Sequence, residues 1–157
     1  MVSIGPLEID FRFGRRRRSP LIYLIALVLL GGAWLLRSDP SWVRALEEAV
    51  AEPAATSFQL SEHTGFEWDR VHIFPPYTGA QQVDPVLGAG TFAALDTEIE
   101  SLDGIVLVIF CNEGKVVSSH DLRRGPTDLS SCLAPEGLTP EQASFRIQDG
   151  TLSLAGG

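Results

Sequence analysis

The chain has 157 residues, of which 20 are acidic and 12 basic, and its formal net charge is −8. Residues 1–37 carry six basic and two acidic side chains, whereas residues 38–157 carry six basic and eighteen acidic side chains, a net charge of −12. An acidic surface of this kind repels phosphate backbones, so the composition excludes nucleic acid as a partner of the larger part of the chain.

The N-terminal part combines a run of arginines with an apolar segment. Arg15, Arg16, Arg17 and Arg18 precede residues 19–36, which carry no charge and would form a helix of about 27 Å, close to the thickness of a bilayer core. Arginines resist translocation and hold the N-terminus in the cytoplasm. We therefore predict a cytoplasmic basic tail at 1–18 and a transmembrane anchor at 19–37, in contact with membrane lipid.

This topology predicts a single-pass protein of a bacterial inner or plasma membrane, with an extracytoplasmic, periplasmic C-terminal domain. The alternative is a signal peptide that is cleaved at the small residues Gly31-Gly32-Ala33. In both cases the remainder of the chain is exported.

Residues 38–57 are predicted to form a juxtamembrane helix followed by a linker. Asp39 is suited to cap the helix, Pro40 fits its first position, and the helix should end near Pro53. Trp42 and Leu46 recur at helical spacing and give it an apolar face. The helix either packs on the domain or serves as a stalk.

Residues 58–157 are predicted to form one small α+β domain. The first strand should run from Phe66 to Phe74, with Val71 and Ile73 on one face and with the alternate side chains, including Trp68 and Phe74, on the other. A short helical stretch at Gly79–Leu87 follows, with Thr78 as its cap, and Pro85 should either keep this helix short or break it.

The second half of the domain is predicted to be built from hairpins. Residues 105–110 are apolar on both faces, which indicates a central strand, and a turn at Glu113-Gly114 leads to a partner strand at 116–122. Asp149-Gly150 is a strong two-residue turn signal, so Ile147 should lie opposite Leu152. The sheet is therefore mainly antiparallel, with one or two helices, and residues 123–139 form a long loop.

Residues 66–78, Phe-Glu-Trp-Asp-Arg-Val-His-Ile-Phe-Pro-Pro-Tyr-Thr, resemble a segment of small bacterial membrane-anchored or lipoprotein domains. The pattern of that group is F-x-W-D-x-V-x-I-F-x-P-Y-T, and the likeness extends over roughly residues 58–150. It implies an extracytoplasmic domain of this architecture and no particular activity. The chain departs from the group because it carries a protein anchor in place of a lipidation cysteine.

Two groups of residues are candidates for binding a ligand or partner. Trp68, Asp69 and Tyr77 could surround a ligand with two aromatic rings and a carboxylate, or could serve as core and turn residues. Arg123 and Arg124, with Asp128 nearby, could grip an anionic group of a partner, or could pair with local acids.

The two cysteines could be joined in the oxidising compartment that the topology predicts. A Cys111–Cys132 disulfide would stabilise the fold by roughly 3 kcal/mol; the alternative for Cys111 is a buried, free thiol. The histidines His63, His72 and His120 lack metal-ligand spacing, and the sequence indicates neither a metal nor a cofactor.

The function expected from these patterns is that of a protein-binding module of the cell envelope. The alternative is an envelope hydrolase whose polar residues Asp69, His120 and Arg123 converge in one pocket. His120 and Asp121 cannot act as a base and its orienting partner, because neighbours on a strand point to opposite faces.

Overall fold

The computed structural model describes residues 40–156, which belong to a compact unit that spans Asp39–Gly157. The predicted tail at 1–18 and the predicted anchor at 19–37 lie outside the described residues. None of the helices in the described range combines the length and the apolar character needed to cross a membrane.

The domain is a small α+β fold with two helices and two antiparallel sheets. A four-stranded sheet has the order β4-β3-β2-β5, and a three-stranded sheet has the order β1-β6-β7. Short 3-10 turns lie at Leu60–Glu62 and Phe92–Ala94. The elements are α1 (Ser41–Ala51), β1 (Ser57–Gln59), β2 (Arg70–Phe74), α2 (Ala80–Leu87), β3 (Ile105–Asn112), β4 (Lys115–Arg123), β5 (Ala134–Leu138), β6 (Ser144–Gln148) and β7 (Thr151–Leu154).

Strand β3 lies inside the larger sheet and is buried on both faces, which confirms the predicted central strand. Val106, Val108 and Phe110 belong to one core cluster, together with side chains of α1 and of the smaller sheet. The intervening residues Ile105, Leu107, Ile109 and Cys111 belong to a second cluster, which includes Val83 of α2. Successive side chains of a strand point to opposite faces of the sheet, so this single apolar run contributes to two separate cores.

Both predicted hairpin turns are present. Glu113 and Gly114 have φ angles of 50° and 71°, and Asp149 and Gly150 have φ angles of 51° and 73°. Positive φ at both central residues is the geometry that matches the twist of a hairpin. Ile147 lies opposite Leu152, as predicted.

Helix α1 packs into the domain instead of standing apart as a stalk. Trp42, Val43 and Leu46 are buried, and Leu46 has no exposed surface. Pro40 is the N-cap residue, so the helix begins at Ser41, one residue later than predicted, and no side chain caps it. The helix that was predicted to lie outside the 58–157 domain is therefore part of its core.

Strand β2 is shorter than predicted. It begins at Arg70, so the alternation of a strand does not extend back to Phe66 and Trp68. Trp68 consequently shares a cluster with Val71 and Ile73, not with Phe74. Its indole Nε1 donates to Thr64 Oγ1 at 2.8 Å, which holds the ring against the core.

Helix α2 has eight residues and continues through Pro85, so the helix is short, as one of the two predicted alternatives had it, and is not broken. Proline here removes only the bond to the carbonyl of Gln81, and the helix ends two residues later at Leu87, with Gly88 as its C-cap at a φ of 105°. The N-cap is Gly79, whose amide donates to Gln82 Oε1 at 3.0 Å. Thr78, the predicted cap, instead donates its hydroxyl to the carbonyl of Pro75 at 2.7 Å.

Candidate functional site

The predicted cluster of Trp68, Asp69 and Tyr77 is not formed. Trp68 is buried against Phe110, with ring centroids 5.3 Å apart, whereas the Tyr77 side chain is 61% exposed. Asp69 precedes β2 and Tyr77 follows it, and the five residues of that strand alone span about 16 Å. The three side chains therefore cannot surround one ligand.

Asp69 has a structural role at the turn between β3 and β4. Its Oδ2 accepts a hydrogen bond from the amide of Glu113 at 2.8 Å, and its own amide donates to the carbonyl of Cys111 at 2.9 Å. The carboxylate thus ties the start of β2 to the neighbouring hairpin, in agreement with the alternative that it serves as a turn residue.

The residues of the alternative hydrolase site lie apart. Asp69 bonds to Cys111 at one end of β3, whereas Arg123 lies opposite Ile105 at the other end. Six residues of strand separate these positions, a distance of about 20 Å. His120 lies between them, opposite Val108. The predicted convergence in one pocket is not formed.

His120 and Asp121 face opposite sides of the sheet, as predicted. The His120 ring contacts Trp42 edge-on, with centroids 5.9 Å apart, and its Nε2 lies 2.8 Å from Ser118 Oγ. Burial lowers the pKa of the His120 imidazole, and the nearby Asp121 carboxylate opposes this effect only in part. Asp121 instead accepts hydrogen bonds from Thr97 Oγ1 and from the amide of Glu98.

Arg124 and Asp128 pair within the domain, as the structural alternative predicted. Arg124 Nε lies 3.4 Å from Asp128 Oδ2 and donates to Ser130 Oγ at 2.9 Å. Burial raises the pKa of Asp128, but hydrogen bonds from Ser130 and the charge of Arg124 outweigh it, so the net pKa lies below its ordinary value. Arg123 is exposed on β4. The local pairing leaves Arg124 less available to an external anion.

Of the two alternatives for the cysteines, the disulfide is not formed, and Cys111 and Cys132 are both buried and free. Cys132 belongs to the core cluster that contains α1, and Cys111 belongs to the cluster beneath α2. Burial raises the pKa of both thiols, so neither is an activated nucleophile. Among the described residues, no group of three His, Cys, Asp or Glu side chains could hold a metal ion.

The outer edge of β4 is a free surface feature of the described domain. Strand β4 pairs only with β3, and within residues 40–156 its backbone forms no hydrogen bond to any other segment. Val116 and Val117 are 37% and 46% exposed. A bulge at Val117 interrupts the ladder and confines the regular edge to residues 118–123. Unpaired strand edges can accept a further strand.

A run of acidic residues lies beside this edge. Residues 96–103, called here the acidic segment, contain Asp96, Glu98, Glu100 and Asp103 and no basic residue. The bonds from Thr97 and Glu98 to Asp121 attach the segment to β4. All four residues are exposed.

The other edge of the larger sheet is less suited to strand addition. Strand β5 has five residues and contains Pro135, which has no amide to donate, and Gly137, with φ of 88°. It was not predicted at all, because proline and glycine lower strand propensity. Nor does the sequence reveal that β4 is an edge strand, since strand order is a property of the whole fold.

No protein family, curated protein or solved structure matches this chain.

Proposed function

We propose that the chain is a membrane-anchored module of the bacterial cell envelope that binds an extended, basic segment of a partner protein. The partner adds a strand along β4 on the extracytoplasmic side. The observation that carries the proposal is the outer edge of β4, a nine-residue strand with a free backbone edge among residues 40–156. Its exposed valines offer apolar contacts next to that edge.

The charge of the partner follows from the surroundings of the edge. The acidic segment lies beside β4, and residues 38–157 carry a net charge of −12. This negative charge would attract a basic segment and would repel an acidic one. Backbone hydrogen bonds would supply affinity with little sequence specificity, and the charge would select the partner.

The location rests on the basic run and the apolar segment near the N-terminus. Because α1 is part of the core, the sequence leaves only residues 38–40 as a linker between the predicted anchor and the first helix. The sequence thus has few residues that could act as a stalk. The resemblance of residues 66–78 to membrane-anchored and lipoprotein domains favours the same compartment.

Binding can be tested by NMR titration of the full-length chain in detergent micelles. The probe is an end-blocked hexapeptide of alternating lysine and valine, and the matched control alternates glutamate and valine. The basic peptide should shift the amide signals of residues 118–123 and should saturate at a concentration at least about tenfold lower than the acidic one, with the difference shrinking at high salt. Equal binding of the two peptides, or shifts away from β4, would refute the proposal.

The topology requires a separate test. A reporter that is active only outside the cytoplasm, fused after Gly157, should be active in the full-length protein. Replacing Arg15, Arg16, Arg17 and Arg18 by alanine should reduce that activity, because the orientation depends on these charges. Activity of a cytoplasmic reporter at the same position would contradict the predicted orientation.

A further inference from the structure

A second surface feature lies on the opposite side of the larger sheet from α1. A cleft of about 470 Å³ opens between the C-terminal part of α2 and the strands β2 and β5. The volume lies within the usual range of small-molecule sites. His72 and Cys111, both buried, line it together with Val86 and Leu87 of α2.

His72 presents one free nitrogen in this region. Its Nδ1 lies 2.8 Å from the carbonyl oxygen of Pro135, so Nδ1 carries the proton and donates. The side chain is 5% exposed, and within residues 40–156 its Nε2 has no hydrogen-bond partner. Nε2 is therefore left without a protein partner, on a residue that lines the cleft.

The neighbouring strand is shaped around this imidazole. The register between β2 and β5 shifts opposite His72, between the pairs Val71 with Leu138 and Ile73 with Ala134. A Cβ atom at Gly137 would lie 2.6 Å from Cε1 of the ring, closer than real Cβ contacts allow. Bulges frequently lie next to binding sites, where they redirect side chains.

The exposed lining residues carry opposite charges. Arg70 and Glu136 both line the cleft and both are exposed. Within the described residues, Arg70 forms no ion pair, so its guanidinium is available to an anion. Asp69 adds a second carboxylate, one oxygen of which is held by the amide of Glu113. The cleft thus offers one cation, two anions, an imidazole nitrogen without a protein partner and an apolar wall.

We infer that this cleft binds a small zwitterion, an α-amino acid with an apolar side chain. Its carboxylate pairs with Arg70, its ammonium group lies between Glu136 and His72 Nε2, and its side chain packs on Val86 and Leu87. The carboxylates of Asp69 and Glu136 would repel a simple anion, and the guanidinium of Arg70 would repel a simple cation. Only a molecule that carries both charges satisfies the whole lining.

The buried floor is compatible with such a ligand. Burial, and secondarily the Asp69 charge, raise the pKa of the Cys111 thiol, so the floor stays uncharged. This site is distinct from the outer edge of β4, because it is lined mainly by β2, β5 and α2. It does not depend on the proposed binding of a basic segment.

The test compares three probes by NMR titration of the full-length chain in micelles. The probes are L-leucine, 4-methylpentanoate, which lacks the amine, and 3-methylbutylamine, which lacks the carboxylate. L-leucine should shift the amide signals of β2 and β5 and should saturate at a concentration at least about tenfold lower than either truncated analogue. If it binds no better than the analogues, or does not bind, the inference is wrong.

Charge-neutralising variants assign the two ends of the ligand. Arg70→Gln should weaken L-leucine about tenfold without weakening 3-methylbutylamine, whereas Glu136→Gln should weaken L-leucine without weakening 4-methylpentanoate. Arg146→Gln, an exposed substitution on β6, is the matched control and should have no effect. Loss of binding in the control to the same extent, or no loss in Arg70→Gln, would overturn the assignment.

Discussion

Replacing Leu46 by alanine should strongly destabilise the domain, because α1 belongs to its core. Leu46 has no exposed surface and lies in the cluster that contains Phe110 and Phe145. Truncation of a fully buried leucine to alanine costs about 3 kcal/mol, from lost burial and from the cavity left behind. With a urea slope of about 1.5 kcal/mol per molar, the unfolding midpoint should fall by about 2 M.

The assay is urea unfolding of the full-length chain in micelles, followed by near-ultraviolet circular dichroism. The matched control is Glu47→Ala, the next residue of the same helix, which is exposed and should change stability by no more than about 0.5 kcal/mol. If α1 were a stalk, Leu46→Ala would behave like Glu47→Ala. Equal midpoints for the two variants would therefore refute the packing of α1 described above.

Three further predictions concern the side chains that were candidates for chemistry. Cys111 and Cys132 should resist alkylation in the folded chain, and both should react once the chain is unfolded without a reductant. A disulfide-linked peptide that contains both cysteines, found in a non-reducing digest, would contradict this. Because burial lowers the folded pKa of His120, its contribution to stability should be present above about pH 6.5 and be lost as the pH falls from there through the folded pKa. His120→Gln should therefore flatten the profile of unfolding free energy between about pH 7 and 5, and an unchanged profile would count against a buried neutral imidazole. Asp69→Ala should cost about 1 kcal/mol in urea unfolding by removing the acceptor of the Glu113 amide, whereas Asp69→Asn should retain most of that stability; equal losses would argue against this hydrogen bond.

The parts of the fold that the sequence predicts correctly are those with local signals. Asp149-Gly150 favours positive φ at both turn positions, and the apolar pattern on either side fixes the register of β6 and β7. The run at 105–110 is long enough and apolar enough to require cover on both faces. These features depend on a few neighbouring residues, so they can be recognised without the rest of the chain.

The parts that were not predicted depend on distant contacts. Strand β5 contains Pro135 and Gly137 and is held by pairing with β2 and by the bond to His72. The alternation assigned to Phe66 and Trp68 fails because the bond from Trp68 to Thr64 orients that segment independently of the strand. The local pattern carries no information about either contact.

The candidate sites could not be predicted from the sequence for the same reason. Residue types suggested that Asp69, His120 and Arg123 could converge, but their positions along β3 and β4 separate them. Conversely, the features that now carry the proposals, the free edge of β4 and the cleft beside His72, arise from strand order and from a bulge. Both are properties of the assembled sheet.

The most direct test of the proposed function is hydrogen–deuterium exchange of the full-length protein in its native membranes, compared with the same protein purified in detergent. If a partner strand covers the outer edge, the amides of residues 118–123 should exchange more slowly in the membranes than in detergent. The amides of β7, at the edge of the smaller sheet, should exchange equally in both. Identical exchange of β4 in the two preparations would contradict the claim that this edge is occupied in the cell envelope.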